Sequence, residues 1–196
     1  PVTLYTYTLD DDDNATITAY KGNATALVIP STIDGYTVVA IGNGAFRGNV
    51  KLAAVMIPDT VTKIEDSAFS GCTGLTDISL PKSLKTLGAD AFYGCSGLTS
   101  VLIPKTVENT RTVWNGGSSP FRECNNLQIF RFEDGMTRIP NSILSRCAAK
   151  LDIVIPDSVT EIGNSAFLDS GLVTVTIPDT VTKIEDSAFS LSLIHI

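Results

Sequence analysis

The chain has 196 residues, 43% apolar and 18% charged, and its 14 bases and 21 acids give a formal net charge of −7. This apolar content is too high for a disordered chain, and no run approaches the ~20 apolar residues of a membrane-spanning helix. The acidic balance argues against a protein that neutralises nucleic-acid phosphates. The single histidine, His195, is the penultimate residue, which nearly excludes histidine catalysis.

The first segment predicts two strands joined by a turn. Apolar and polar residues alternate over Tyr5–Leu9 and over Thr16–Tyr20, and the polar residues Asp10–Asn14 lie between them. A repeat array needs a polar end of this kind to cover its first unit. We therefore assign residues 1–26 to an N-terminal cap made of strands.

An internal repeat of 23 residues occupies most of the remaining chain. Residues 57–70, IPDTVTKIEDSAFS, recur letter for letter as residues 177–190. An aromatic residue or its substitute marks each unit, at intervals of 23, 23, 29, 23, 23 and 22 residues: Phe46, Phe69, Phe92, Phe121, Leu144, Phe167 and Phe189. We assign residues 27–190 to a repeat array of about seven units.

Each unit predicts two short strands and a corner. Ile78 and Leu80 alternate with polar residues and so lie on one face of a strand, which ends at Pro81 because proline has no amide hydrogen to donate. A second extended piece spans residues 84–87, and residues 88–93 suffice for only one helical or 3₁₀ turn. One unit cannot bury its own apolar residues, so the pattern predicts a curved solenoid of parallel stacked coils with two narrow parallel sheets.

Two rows of polar side chains are predicted to be structural. Four cysteines share one repeat position: Cys72, Cys95, Cys124 and Cys147. Stacking would place them in a line with parallel side chains ~4.8 Å apart, whereas a disulfide brings Cβ atoms to ~3.8 Å and zinc requires a tetrahedron of ligands. We favour buried free thiols over disulfides and expect no metal. A Ser/Thr row from Thr32 to Thr180 predicts hydroxyls that bond the backbone of adjacent coils.

No motif requires a cofactor or predicts catalysis. The glycines of Gly42–Gly48 are spaced G-x-G-x-x-x-G, which departs from the phosphate-binding pattern, and no full helix follows. The run Asp10–Asp13 lacks the spacing of a calcium-binding EF-hand loop. We expect no cofactor and no enzymatic activity.

Two features predict a binding surface. Outward-facing apolar residues on the first strands, including Val28, would form an exposed patch of the kind that marks contact sites, although the preference of such residues for strands is an alternative explanation. An insertion at residues 108–119 carries the single tryptophan, and residues 105–150 hold seven bases against four acids. Trp and Arg dominate binding hot spots. The candidate binding residues are Met56, Leu102, Trp114, Ile129, Arg131 and Val154, with a gap-covering role as the alternative for Trp114.

The repeat pattern stops after Ser190. The final residues 191–196, LSLIHI, match the in-frame translation of a transposon mosaic-end adapter used in shotgun sequencing. We interpret them as a non-native tail and expect the natural protein to continue with further repeats. The alternative is a diverged terminal strand. An uncapped C-terminal coil would be prone to end-to-end association.

The repeat resembles the BspA-like family of bacterial leucine-rich repeats. That family's 23-residue unit carries the landmarks seen here at Pro81, Ala91, Phe92 and Cys95, and the likeness extends over residues 27–190. The segment from residue 5 to residue 36 is similar to the family's hairpin-like cap. Departures from the pattern occur at Asn49, Glu133, Leu144, Lys150 and Ser170.

The resemblance implies a non-enzymatic binding module of a bacterial cell-surface or secreted protein involved in adhesion. Its partner would be an extracellular protein or a glycan, bound through the solvent-facing strand surface and the 108–119 loop. The alternative is a passive spacer that presents other domains of a longer surface protein. No signal peptide is present in this chain, and we expect neither nucleic-acid binding nor membrane insertion of this segment.

Overall fold

The computed structural model describes residues 4–111 and 119–192. Over these ranges the chain forms a β-solenoid of about seven stacked parallel coils, without helices. The cap consists of strands β1 (Tyr5–Leu9) and β2 (Ala15–Tyr20), which pair antiparallel as a hairpin. The predicted solenoid and its hairpin-like cap are confirmed.

Each coil contributes one strand to each of two faces. The first-strand face comprises β3 (Ala26–Val28), β6 (Ala54–Met56), β8 (Asp77–Ser79), β10 (Ser100–Ile103), β12 (Ile129–Phe132), β14 (Asp152–Val154) and β16 (Thr174–Thr176). The second-strand face comprises β5 (Tyr36–Ile41), β7 (Lys63–Ile64), β9 (Thr86–Leu87), β11 (Asn109–Thr110), β13 (Arg138–Ile139), β15 (Glu161–Ile162) and β17 (Lys183–Ile184). Paired strands of neighbouring coils run parallel, so equivalent residues lie side by side.

The cap joins the solenoid through the second-strand face. Strand β2 pairs in parallel with β5, which continues into β7, β9 and β11. The five extra residues of the first unit form a small hairpin, in which β4 (Thr32–Ile33) pairs antiparallel with the start of β5. The hairpin turns at Asp34 and Gly35, both at positive φ, and glycine adopts that conformation without a steric penalty.

Phenylalanine rings of successive corners stack over one another. The ring centroids of Phe46, Phe69, Phe92 and Phe121 are successively 4.8, 5.3 and 5.2 Å apart, with interplanar angles of 10°, 5° and 5°. All four side chains are buried. Like residues therefore form continuous rows through the core, as the repeat predicted.

The aromatic row changes course where Leu144 replaces phenylalanine. The same coil carries Phe130 and Phe132 on β12, at positions that are aliphatic in the other coils. Their rings pack edge-on, with centroid distances of 5.3 Å from Phe121 to Phe130, 5.5 Å between the pair, and 6.4 Å from Phe132 to Phe167. Volume lost at the corner is thus replaced from the strand, which keeps the core closely packed.

The corners are turns rather than the helical or 3₁₀ turns expected from their length. Ser67 and Gly71, on either side of Phe69, have φ angles of 55° and 72°. The amides of Ser67 and Phe69 donate to Ala89 and Ala91 of the next coil, at 2.9 and 2.7 Å. In a helix these amides would bond within their own segment. The left-handed residues instead make each corner part of the contact between coils.

The cysteine row consists of buried free thiols, as predicted. The Sγ atoms of Cys72 and Cys95 donate to the main-chain oxygens of Phe46 and Phe69 in the preceding coil, at 3.1 and 3.2 Å. Burial raises the pKa of Cys72 to about 11. The thiols therefore stay protonated at neutral pH and act as hydrogen-bond donors to corner carbonyls.

The predicted hydroxyl row is also present, with one exception. The hydroxyls of Thr106, Ser158 and Thr180 donate to main-chain oxygens of the preceding coil at 2.8, 2.7 and 2.9 Å. The buried hydroxyl oxygen of Thr60 has no partner among the described residues. The hairpin of β4 and β5 lies in the coil before Thr60, so the regular stacking is altered there.

Candidate binding surface

Side chains on the first-strand face alternate between core and solvent, because successive residues of a strand point to opposite sides. Val101 and Phe130 are buried, while their neighbours Leu102 and Arg131 are exposed. The outward apolar side chains retain large exposed fractions, 54% for Leu102, 47% for Ile129 and 67% for Val154. The sequence therefore predicted the orientation of these residues correctly.

Four of the candidate residues line one shallow depression. Leu102, Ile129, Arg131 and Val154 border a hollow of about 620 Å³ on the first-strand face. Leu102 lies directly beside Arg131 in the paired strands β10 and β12. Val154 occupies the equivalent position in the following coil, 23 residues after Arg131. The side chains come from three successive coils, so the stacking of the solenoid assembles the surface.

The depression lies where the hydrogen-bond ladder of this face is interrupted. Strand β12 pairs with β10, and β14 pairs with β16, but no ladder joins β12 to β14. The bulky pair Phe130 and Phe132 lies on β12 at this interruption. The surface between the two strands is consequently a groove rather than a continuous sheet.

Arg131 is the free cation of the depression. Its side chain is exposed and makes no ion pair or side-chain hydrogen bond within the described ranges. Three other arginines of the basic segment contact carboxylates: Arg111 with Asp66 at 3.5 Å, Arg122 with Asp90 at 3.0 Å, and Arg138 with Glu161 at 2.9 Å. Those three have structural partners, whereas Arg131 points its charge at solvent.

The two remaining candidate residues are not part of this depression. Met56 lines a separate, smaller hollow of about 220 Å³ together with Val28. Trp114 lies outside the described residues, so the structure does not place it. The six candidates therefore do not form one site. Four cluster on β10, β12 and β14, and Met56 lies three coils away from Arg131.

Sequence reasoning missed the acidic residues of the depression. Asp152, Glu133 and Asp134 line it along with the residues above. The Glu133 carboxylate accepts a hydrogen bond from the Lys105 amide at 2.9 Å, and Asp152 accepts one from the Thr174 hydroxyl at 2.6 Å. Alternation along β12 and β14 was the available signal, because Asp152 and Glu133 each lie two residues from a candidate residue.

Two further features bear on function. Within residues 4–111 and 119–192, no cluster of three or more His, Cys, Asp or Glu side chains could hold a metal ion. The same ranges hold no helix of the length and apolarity that crossing a membrane requires.

The repeat match identifies the family. The family model described as BspA type Leucine rich repeat region, in six copies, matches residues 39–114 and 106–194. The chain belongs to this family. Its leucine-rich repeats are generally non-enzymatic scaffolds. No curated protein sequence matches the chain.

Solved structures of bacterial leucine-rich repeat proteins share the fold. The T. pallidum leucine-rich repeat protein is 30% identical, with a TM-score of 0.65, and the match covers 94% of this chain and 80% of that one. A leucine-rich cell surface protein from Faecalibacterium prausnitzii A2-165 is 33% identical, with a TM-score of 0.72 and coverage of 99% and 53%. A leucine-rich repeat protein from Bacteroides capillosus is 31% identical, with a TM-score of 0.59 and coverage of 68% and 96%. The chain thus spans about half the length of the Faecalibacterium protein.

Proposed function

We propose that the chain is a non-enzymatic binding module of a bacterial cell-surface or secreted protein. It binds an extracellular protein or glycan through the first-strand face, with Leu102, Ile129, Arg131 and Val154 as the main contacts. The observation that carries the proposal is their convergence on one solvent-facing depression. Buried apolar anchors beside an arginine are typical of binding hot spots. The similarity to a cell surface protein supports the location.

Binding to a panel of extracellular-matrix proteins and to a glycan array tests this proposal. Val154→Ser and Arg131→Ala should each weaken a bound partner about tenfold or more, as expected for hot-spot residues. Val50→Ser is the matched control, because Val50 is also exposed but lies outside this face. Absence of any binding, or equal effects of Val154→Ser and Val50→Ser, would contradict the proposal and favour the passive spacer.

The insertion at residues 108–119 belongs to the proposed surface through its basic and aromatic composition. Trp114→Ala in the same assay tests its contribution. A loss of affinity with an unchanged melting temperature would assign Trp114 to partner binding. A lowered melting temperature with unchanged affinity would assign it to covering a gap in the coil.

We also propose that the last described coil associates with a coil of a second copy. Ile184 is exposed there, whereas its counterpart Ile64 is covered by the next coil. An uncovered parallel strand edge with apolar neighbours favours such pairing. Sedimentation at increasing concentration should show self-association that Ile184→Lys abolishes and Val50→Lys does not. Monomers at every concentration would contradict this.

A further inference from the structure

We infer that the groove between β12 and β14 binds an extended peptide segment in which alternate residues are basic, acidic and basic. This inference rests on the proposed function, because it assigns a partner chemistry to the same surface. It is carried by the order of charges along the groove, by the unpaired Arg131, and by the open ladder between the two strands.

The charges follow the groove in three levels. Asp152 lies at the level of Ile129, since 23 residues separate the two positions. Arg131 lies two residues further along β12, beside Leu102. Glu133 and Asp134 follow at the end of β12. The levels are therefore negative, positive and negative, one strand period of ~6.6 Å apart.

An extended peptide has the same two-residue period, so its alternate side chains can face these three levels. Opposite charges at facing positions stabilise the contact, and like charges oppose it. A base, an acid and a base on the peptide match Asp152, Arg131 and the pair Glu133–Asp134. The pattern is the same in both directions, so it fits a parallel or an antiparallel peptide.

The central pair should contribute most to discrimination. The acids Glu133 and Asp152 already accept hydrogen bonds from Lys105 and Thr174. Arg131 has no partner within the described ranges, so a peptide carboxylate would supply its first ion pair. Exposed Leu102, Ile129 and Val154 surround Arg131 and would exclude water from that ion pair.

The depression favours a peptide over a sugar. The only aromatic residues among those that line it are Phe130 and Phe132, and both are buried. It therefore presents no exposed ring on which a sugar could stack. Apolar side chains and alternating charges instead match the composition of a strand-like peptide.

The test uses synthetic peptides of the sequence Val-Thr-Lys-Thr-Glu-Thr-Lys-Thr-Val, immobilised at high density, and the full chain. The controls are the charge-inverted peptide, with Glu, Lys and Glu, and a peptide with Gln at the centre. We expect the chain to bind the first peptide about tenfold or more tightly than the inverted one, because like charges would then face each other at all three levels.

A double-mutant cycle isolates the central pair. Replacing the central Glu by Gln should weaken binding to the unmodified chain about tenfold and leave binding to Arg131→Gln unchanged. Arg47→Gln is the matched control, because Arg47 is exposed on a corner and outside the groove. It should retain the full effect of the peptide substitution.

Three outcomes would overturn the inference: no binding, equal binding of the two charged peptides, or equal cycles for Arg131→Gln and Arg47→Gln. Its failure can be separated from failure of the proposed function. If the chain binds a glycan or matrix protein in a Val154-dependent manner but shows no peptide preference, the binding face stands and the peptide pattern falls. If the chain binds none of these probes, both fall.

Discussion

Residues 57–70 and 177–190 have the same sequence and the same local backbone. Both place a two-residue strand at Lys-Ile, and Ser67 and Ser187 have φ angles of 55° and 57°. In both segments the valine amide donates to the carbonyl of the proline three residues earlier, at 3.0 and 3.1 Å. Fourteen residues of local sequence are therefore sufficient to specify the turn, the strand and the corner.

The two segments differ in what covers them. Ile64 is fully buried, whereas the exposed fraction of Ile184 is 51%. Phe69 stacks between the rings of Phe46 and Phe92, while Phe189 stacks only on Phe167, at 5.2 Å. A following coil covers the first segment, and no coil within the described residues covers the second. Local sequence thus sets the backbone, and the neighbouring coil supplies the burial that stabilises a repeat protein.

The largest expected effect is a difference between two identical substitutions. Phe69→Ala should cost about 3–5 kcal/mol, because a fully buried ring is removed and a cavity remains. Phe189→Ala should cost about 1–2 kcal/mol, because its ring has one stacked neighbour and is already partly hydrated. Urea unfolding of both variants measures the difference. Equal losses would show that the following coil does not determine burial. Phe92→Ala, in the middle of the stack, should match Phe69→Ala.

The isoleucine pair sharpens the same comparison with less volume removed. Ile64→Ala should destabilise the fold by about 2–4 kcal/mol. Ile184→Ala should cost less than about 1 kcal/mol, because half of its side chain already contacts water. Thermal unfolding at low protein concentration, where self-association is suppressed, provides the measurement. A larger loss for Ile184→Ala than for Ile64→Ala would contradict the account.

A third prediction uses the carboxylate of the second segment. The Lys183 ammonium at 2.8 Å and the Asn164 amide at 2.8 Å lower the pKa of Glu185 to about 2. Arg138, two coils away, adds a further contact at 2.8 Å. A lowered folded-state pKa contributes stability above the ordinary value of 4.5, and that contribution is lost as the pH falls toward 2.

Glu185→Gln should therefore be less stable than the unmodified chain at pH 7, and the two should converge between about pH 4.5 and pH 2. Melting temperatures across that interval measure the convergence. Curves that remain parallel throughout would mean that the carboxylate is not held in its charged form.

The smallest effect differs in sign between the segments. The Thr60 hydroxyl is buried without a described partner, whereas the Thr180 hydroxyl donates to Val159 at 2.9 Å. Thr60→Val should therefore stabilise by about 1 kcal/mol, because an unsatisfied buried group is removed. Thr180→Val should destabilise by about 0.5–1 kcal/mol through the lost hydrogen bond. Chemical unfolding compares them. Destabilisation by both would show that Thr60 has a partner in solution.

Sequence periodicity predicted the stacked core because the residue rows follow directly from the 23-residue spacing. It predicted the outward direction of Leu102 and Arg131 for the same reason, through strand alternation. Helical turns were expected at the corners because their length fits one turn. Ser67 concealed the left-handed position there, which glycine marks at the equivalent Gly44.

The depression could not be predicted from spacing alone. It depends on the missing ladder between β12 and β14, at a coil where Phe130 and Phe132 compensate for Leu144. That compensation is a packing solution among three residues distant in the repeat, and the pattern of each unit by itself does not contain it.

Amide hydrogen exchange by NMR tests the central claim most directly, because intrinsic exchange rates in two identical segments are closely matched. The Phe69 amide donates to Ala91 of the next coil at 2.7 Å, whereas the Phe189 amide has no partner among the described residues. The account predicts that Phe69 exchanges about a hundredfold or more slowly than Phe189. Equal protection of the two amides would contradict it.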